Sequence, residues 1–399
     1  MTIFRVLFFS FVLINIFSLL ETPQKQLFYI LKLVSFVVIF AYMAMIVFSK
    51  KRKHLNVTKN NKLALVGVLV WFLLMLPSFF VNNPNLSGGL LIISYILLGY
   101  LSFRVFGSLY SKKEDFLKYN KMWLVPLFIG LTIAVVASFV GLGDKYYISN
   151  DGRVRYIFSF TNPNALGSVS FIIILIYLKL FTFKKLKWFG FPSVFLIIPI
   201  IIILFLTDSR TPFYATIIWL LIYSLYNLSI KYLHPYLRLF FYSMLSILLF
   251  LVSIAGISRF NFETVDKLLS LRLTNWNLVL ETFYGSDWLI GKGLDVVAQD
   301  LVSVTNRNIT FDNSYFSVFV QSGIIGTIGL FIFLIIIFVS INRIKDQQLK
   351  KISTATLISW LAYSFFEGAL FSTGNITSIY IWTSLGILMG IHHQKSASE

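Results

Sequence analysis

Apolar runs of about twenty residues recur along the whole chain, and this constrains the fold more than any other feature. LALVGVLVWFLLMLPSFFV (63–81) and IGLFIFLIIIFV (328–339) are examples. A segment in lipid must pair every backbone polar group internally, which leaves helices or closed barrels. The runs are continuous rather than alternating, so they select helices. With 57% of 399 residues hydrophobic, a soluble domain could not hide the apolar surface. The reading is an all-α, polytopic membrane helix bundle of about twelve spans, forming a single integral membrane domain over 1–399. The spans are expected at 3–20, 27–48, 63–81, 87–105, 122–142, 165–183, 188–206, 212–230, 239–257, 316–340, 352–371 and 375–391. The first run lacks a small-residue cleavage site and is soon followed by another span, so it is expected to be a retained helix.

Charge sets the expected orientation. Alternate junctions, among them KKRKHLNVTKNNK (50–62), KKLK (184–187) and NRIKDQQLKK (342–351), are rich in Lys and Arg. The opposite set balances acids and bases. Basic loops stay cytoplasmic, so both termini are expected inside and the loops at 143–164 and 258–315 outside. The net charge of +18 is then an orientation signal, and no nucleic-acid partner is expected. The 258–315 loop is long for a compact bundle, and such loops are usually functional. Within it Phe262, Val265, Leu269, Leu273, Trp276, Leu280 and Phe283 recur at helical steps, predicting an amphipathic helix on the outer leaflet or over the bundle.

The chemistry available outside is narrow. The chain has no cysteine, and its four histidines, His54, His234, His392 and His393, all fall on the cytoplasmic side. Four outer clusters stand out. RVRYIFSFTNPNALGS (153–168) places Arg153 and Arg155 ahead of a helix that Asn164 can cap and Pro163 can start. LTDSRTPF (206–213) puts Arg210 at a helix start, where backbone N–H groups and a guanidinium suit an anion. Pro212 fits its first turn, and Asp208 or Ser209 could cap it. SLRLTNWNLVLETFYGSDWLIGKG (270–293) carries Arg272 before Trp276, and ends in a turn where Gly291 and Gly293 permit left-handed geometry. In FDNSYFSVFVQSGIIG (311–326), any of Asp312, Asn313 and Ser314 could cap the tenth span, and Gly323 and Gly326 allow a neighbouring helix to approach. Two intramembrane charges are expected near the outer ends of their spans, Lys32 about a turn and a half inside the second and Glu367 about one turn inside the eleventh.

In this order the clusters resemble the bacterial O-antigen ligase and polysaccharide polymerase (Wzy-type) superfamily, across essentially the whole chain. The motifs are FTNPNALG (160–167), TDSRTPF (207–213), RLTNW (272–276), GKG (291–293) and DNSYFSVFVQSGIIG (312–326). The resemblance implies a multispanning glycosyltransferase bundle (GT-C-like) in the bacterial cytoplasmic membrane. It implies an enzyme of the outer face acting on undecaprenyl-pyrophosphate-linked oligosaccharide, with membrane lipids around it and a chain-length regulator and flippase as partners. In the ligases the motif at 312–315 normally begins with histidine. Asp312 stands there in this chain, which favours a polymerase joining repeat units into a capsular, exopolysaccharide or O-antigen chain.

Transfer from a pyrophosphate needs stabilisation of the departing anion and deprotonation of the attacking hydroxyl. Arginines serve the first without a metal, and a carboxylate can serve the second. The expected catalytic residues are Arg210 and Arg272 as anion clamp and Asp312 as base. Arg153, Arg155, Asn162, Asn164, Trp276, Asn313 and Tyr315 are expected to bind substrate, and Tyr146, Tyr147 and Tyr156 can stack on sugars. No cofactor or metal ligand set is expected. Two alternatives remain: a ligase transferring a finished glycan to another acceptor, and a lipid-linked oligosaccharide flippase that makes no bond.

Overall fold

A computed structural model describes residues 2–48, 57–82, 84–110, 112–148, 154–183, 190–226, 266, 271–301 and 311–391. The protein is mostly helical. Among the described residues, six helices are long and apolar enough to cross a membrane: Lys25–Tyr42, Lys59–Val81, Leu86–Leu109, Lys113–Phe139, Pro163–Thr182 and Ser314–Asn342. Shorter apolar helices cover Ile3–Phe17, Ile197–Leu206 and Ile376–Gly390. This is a multi-pass membrane protein. The ninth expected span, 239–257, lies outside the described residues. The all-α expectation needs one amendment: Tyr146–Ile148 and Val154–Tyr156 form a two-stranded antiparallel sheet, with Tyr147 opposite Arg155. Aromatic and β-branched residues suit such a ribbon.

The described residues group into two compact units. The first comprises Met1–Val57, Val105–Ile217 and Gly386–Glu399. In it the Thr2–Phe17 helix packs against the Lys25–Phe48 and Lys113–Phe139 helices. Phe8 meets Phe106, Tyr119 and Trp123 at ring separations of 5.3–6.3 Å. A side chain at Gly130 would come within 2.7 Å of Ile16, so glycine permits this close crossing.

The second unit comprises Thr58–Arg104 and Ile218–Leu385. Its axis is the pairing of the Lys59–Val81 and Ser314–Asn342 helices. Gly326 sits against Met75, the close helix approach expected there, and Gly329 sits against Leu74 and Trp71. Trp71 is sandwiched between Tyr95 and Phe333, stacked at 5.3 and 5.6 Å.

Two sequence expectations change. The Gln347–Phe365 helix begins and ends earlier than the 352–371 span, so Glu367 lies in the turn beyond it rather than inside it. The amphipathic pattern is not one helix over 262–283. Leu271 is left-handed (φ 62°) and the helix runs only from Arg272 to Leu280. Phe262, Val265 and Leu269 lie outside the described residues. Val279 and Phe283 pack with Ala298, Phe311 and Val320 into a small core, so this end of the stripe lies against protein, one of the two placements expected for it.

Orientation is testable on a chain without cysteine. Ser286 is exposed in the long loop, and Lys345 is exposed just before the Gln347 helix. Ser353 is fully buried and unsuitable for labelling. In intact cells Ser286→Cys should react with an impermeant thiol reagent, and Lys345→Cys only after permeabilisation. The reverse pattern would invert the charge-based orientation.

Candidate functional site

The start of the Ser314 helix is fastened on several sides. Asn313 is its cap, accepting from the N–H groups of Tyr315 at 2.8 Å and Phe316 at 2.9 Å. Such caps satisfy donors that the helix cannot. The Ser314 hydroxyl donates to the Glu367 carbonyl and accepts from the Leu370 N–H, both at 2.8 Å. Tyr315 Oη donates to the Leu361 carbonyl at 3.0 Å, and its ring stacks on Phe331. Trp276 Nε1 donates to the Phe311 carbonyl at 2.7 Å, while its indole stacks on Phe316. Phe311 and Asn313 are thus held on both sides of Asp312, whose own backbone is left-handed (φ 42°). With Asn313 as cap, the Asp312 carboxylate is not needed for that task.

Arg272, the first residue of its helix, faces this junction. Its Nε lies 3.9 Å from Asp312 Oδ2, with the arginine side chain 14% exposed and the aspartate 43% exposed. This is a charge pair beyond hydrogen-bond length. Arg272 Nε is buried and has no hydrogen-bond partner among the described residues. The Phe366 ring lies 5.8 Å from the guanidinium carbon, within cation–π range. The pair therefore sets a partly exposed carboxylate beside a mostly enclosed cation.

The GKG turn locks into the same helix from the side. Gly323 interrupts the Ser314–Asn342 helix at φ 63°, ψ −162°. The interruption leaves carbonyls to be satisfied. Val320 O accepts from Lys292 N at 2.8 Å, and Gln321 O accepts from Gly293 N at 3.3 Å and Ser78 Oγ at 2.5 Å. Asn82 Nδ2 reaches back to the Gly291 carbonyl at 3.0 Å. Sequence spacing anticipated the close approach of a neighbouring helix at Gly323, and the neighbour is the short Asp287–Ile290 helix that leads into this turn.

Lys292 also pairs with Asp287 at 2.5 Å. Burial alone pushes the Asp287 carboxyl up. The Lys292 hydrogen bond, the Tyr284 N–H and the lysine charge together hold it below the usual carboxylate range. A lowered folded value means the pair stabilises the turn above the unfolded value near 3.8, and that stability is lost as pH falls through the folded value. Acidification through this window should raise protease nicking at 284–293. Asp287→Asn should already be nicked more at neutral pH and change little on acidification; an unchanged acid response in that variant would remove the pair as the cause.

In the first unit, Arg155 ties the Val154–Tyr156 strand to two helix starts. Its Nε donates to Thr207 O at 3.0 Å, and its Nη2 to Asp208 O at 3.1 Å and Asn164 Oδ1 at 3.3 Å. Ser209 Oγ also donates to Asn164 Oδ1, at 3.1 Å. The expected cap at Asn164 is corrected. Asn162 caps the Pro163 helix by accepting from Ala165 N at 2.8 Å, because Asn164 already lies in the first turn. Gly167 leaves room for this contact, since a side chain there would meet Ser209 at 2.8 Å. Arg210 starts its helix directly after the braced turn, with Pro212 in the first turn as expected. Tyr146 and Tyr147 are exposed on the hairpin, and the Tyr156 ring lies 5.5 Å from Phe158. Arg153 lies outside the described residues.

Backbone strain marks the same places. Among the described residues, the non-glycine residues of positive φ are Phe158, Ser159, Asp208, Leu271 and Asp312. They precede the Asn162 cap, Arg210 and Arg272, or are the candidate base itself. Such conformations persist where the surroundings over-determine them, and they gather at working sites. One residue that spacing did not single out is Asp266, whose carboxylate bonds the start of the Arg272 helix. Its partners are seven and eight residues ahead, too far for a capping-box pattern to reveal.

The profile of a family described as O-Antigen ligase matches residues 194–331. That region holds Arg210, Arg272, Trp276, the GKG turn, Asp312, Asn313 and Tyr315, while Arg153, Arg155, Asn162 and Asn164 precede it. No curated protein matches the chain. The match over residues 194–331 supports the similarity of this membrane protein to the O-antigen ligase/polymerase superfamily.

Proposed function

We propose that the protein is a polysaccharide polymerase that joins undecaprenyl-pyrophosphate-linked oligosaccharide repeat units at the outer face of the bacterial cytoplasmic membrane. The observation that carries this reading is the Arg272–Asp312 pair at 3.9 Å, at the capped start of the Ser314 helix and inside the family-matched region. An acceptor hydroxyl attacks the anomeric carbon of the donor sugar and gives its proton to the Asp312 carboxylate. The bond from that carbon to the phosphate oxygen breaks, and the lipid pyrophosphate leaves with the electron pair. Arg272 stabilises the charge that develops on the leaving oxygen. Arg210 is proposed as a second anion-binding guanidinium, on the turn that Arg155 braces. Aspartate at 312 favours the polymerase over the ligase, because the ligase motif begins with histidine there.

The products in a producing host that lacks the gene separate the readings. A polymerase deletion leaves single repeat units on the lipid carrier at the outer face, and the wild-type chain restores the ladder. Full-length chains stranded on the carrier would instead mark a ligase. Repeat units confined to the cytoplasmic face would mark a flippase.

A further inference from the structure

Arg272 owes its place to something other than its own bonds. Its Nε has no hydrogen-bond partner among the described residues, and Asp312 stands at 3.9 Å, too far to anchor it. Beyond its contact with the Phe366 ring, the guanidinium therefore depends on where the backbone of residue 272 puts it. That backbone is gripped on both sides by one residue. Asp266 O accepts from Leu271 N at 2.7 Å. Asp266 Oδ1 accepts from Leu273 N at 2.8 Å and Thr274 N at 3.3 Å, and Oδ2 accepts from the Thr274 hydroxyl. Asp266 is almost wholly buried, at 3% exposure.

Two consequences follow from the chemistry. Leu271 is left-handed, a costly state for a γ-branched residue without αL preference. The bond to the Asp266 carbonyl and the carboxylate's hold on the next two residues pin it there. The carboxylate also takes the free N–H groups of Leu273 and Thr274, the donors that would otherwise offer an anion a backbone site. The Arg272 guanidinium is then the charged donor at this helix start that can meet a phosphate.

From this bracketing we infer that Asp266 is the positioning residue for Arg272: it fixes the arginine against Asp312 and reserves anion contact at this helix start for the guanidinium. The inference rests on the proposed role of Arg272. Removing the bracket should act on product formation through Arg272 and nowhere else.

The test is a set of variants compared at equal membrane protein level, with the glycan ladder of the deletion host as readout. Asp266→Ala should lower polymer yield on the order of 10²-fold, as misplacement by about 1 Å can. Asp266→Asn retains the acceptor oxygen for the two N–H groups and an amide that can meet the Thr274 hydroxyl, so it should restore most of the yield. In an Arg272→Lys background, Asp266→Ala should add little further loss, because coupled residues are not additive. Losses that multiply in the double variant, or an asparagine variant as poor as alanine, would overturn the positioning role. A fully active Asp266→Ala alongside an inactive Arg272→Lys would also overturn it while leaving the proposed function standing. Normal yield from Arg272→Lys would remove the reading of Arg272 and this inference with it. Should Asp266→Ala fail to accumulate, Thr274→Val deletes only the hydroxyl bond. It must lower yield in the wild-type background and not in Arg272→Lys.

Discussion

Arg272→Lys should lower polymer yield by roughly 10²–10³-fold, about 2.7–4 kcal/mol, with no change in protein level. Lysine keeps the charge but loses the planar fork that matches phosphate oxygens. The arginine side chain is mostly enclosed and sits against Phe366, so a shorter-headed cation cannot reoccupy the same volume. Asp312→Asn isolates the other half of the pair. Asparagine tolerates the left-handed backbone at φ 42° and preserves size, and the helix cap at Asn313 is untouched. What is lost is basicity, worth on the order of 10²–10⁴-fold for a general base. The variant should insert normally and accumulate unjoined repeat units on the carrier. Wild-type ladders from Asp312→Asn would show that the base lies elsewhere, and Asp208 and Glu367 would be the next carboxylates to replace.

Gly323→Ala should be the most damaging conservative change outside the charge pair. Its φ of 63° and ψ of −162° lie in a region that only glycine occupies without strain. A methyl group there would stand 2.3 Å from Leu289 O and 2.5 Å from Ile290 N, both backbone atoms that cannot rotate away. Strain and overpacking together cost about 3–5 kcal/mol. The Leu289–Gly291 segment must withdraw, taking with it the Lys292 and Gly293 bonds to the Ser314 helix. Reduced accumulation, or nicking at 284–293 in the protein that does accumulate, is the expected result. Gly326→Ala provides the comparison: a side chain there would meet the Ser322 side chain, which can change rotamer, so its effect should be smaller. Equal tolerance of both substitutions would mean that the turn does not depend on the interruption.

Hydrophobicity and charge are additive along a chain, which is why the sequence by itself determined the membrane class, the helical content and most helix positions. A run such as 63–81 is a span whatever surrounds it, and its helix was found at Lys59–Val81. Pro212 in a first turn and positive φ at Gly291 and Gly293 were likewise legible, because they depend on one residue's own geometry. Motif order was enough to suggest the superfamily that the match over 194–331 supports. The candidate site was legible as a set of residue types and not as an arrangement. Three residues could have capped the Ser314 helix, and only folding chose Asn313, leaving the Asp312 carboxylate to face Arg272. Asn164 looked like a cap and instead holds Arg155 and Ser209, because its partners come from a strand and from a turn more than forty residues away. Asp266 gave no local signal, since its bonds reach residues five to eight positions ahead, a separation that no capping pattern encodes. The interruption at Gly323 makes sense only with the GKG turn against it, some thirty residues earlier in the chain. Backbone donors and acceptors carry no residue identity, so contacts made through them are invisible in sequence. The tertiary structure alone decided which of them meet.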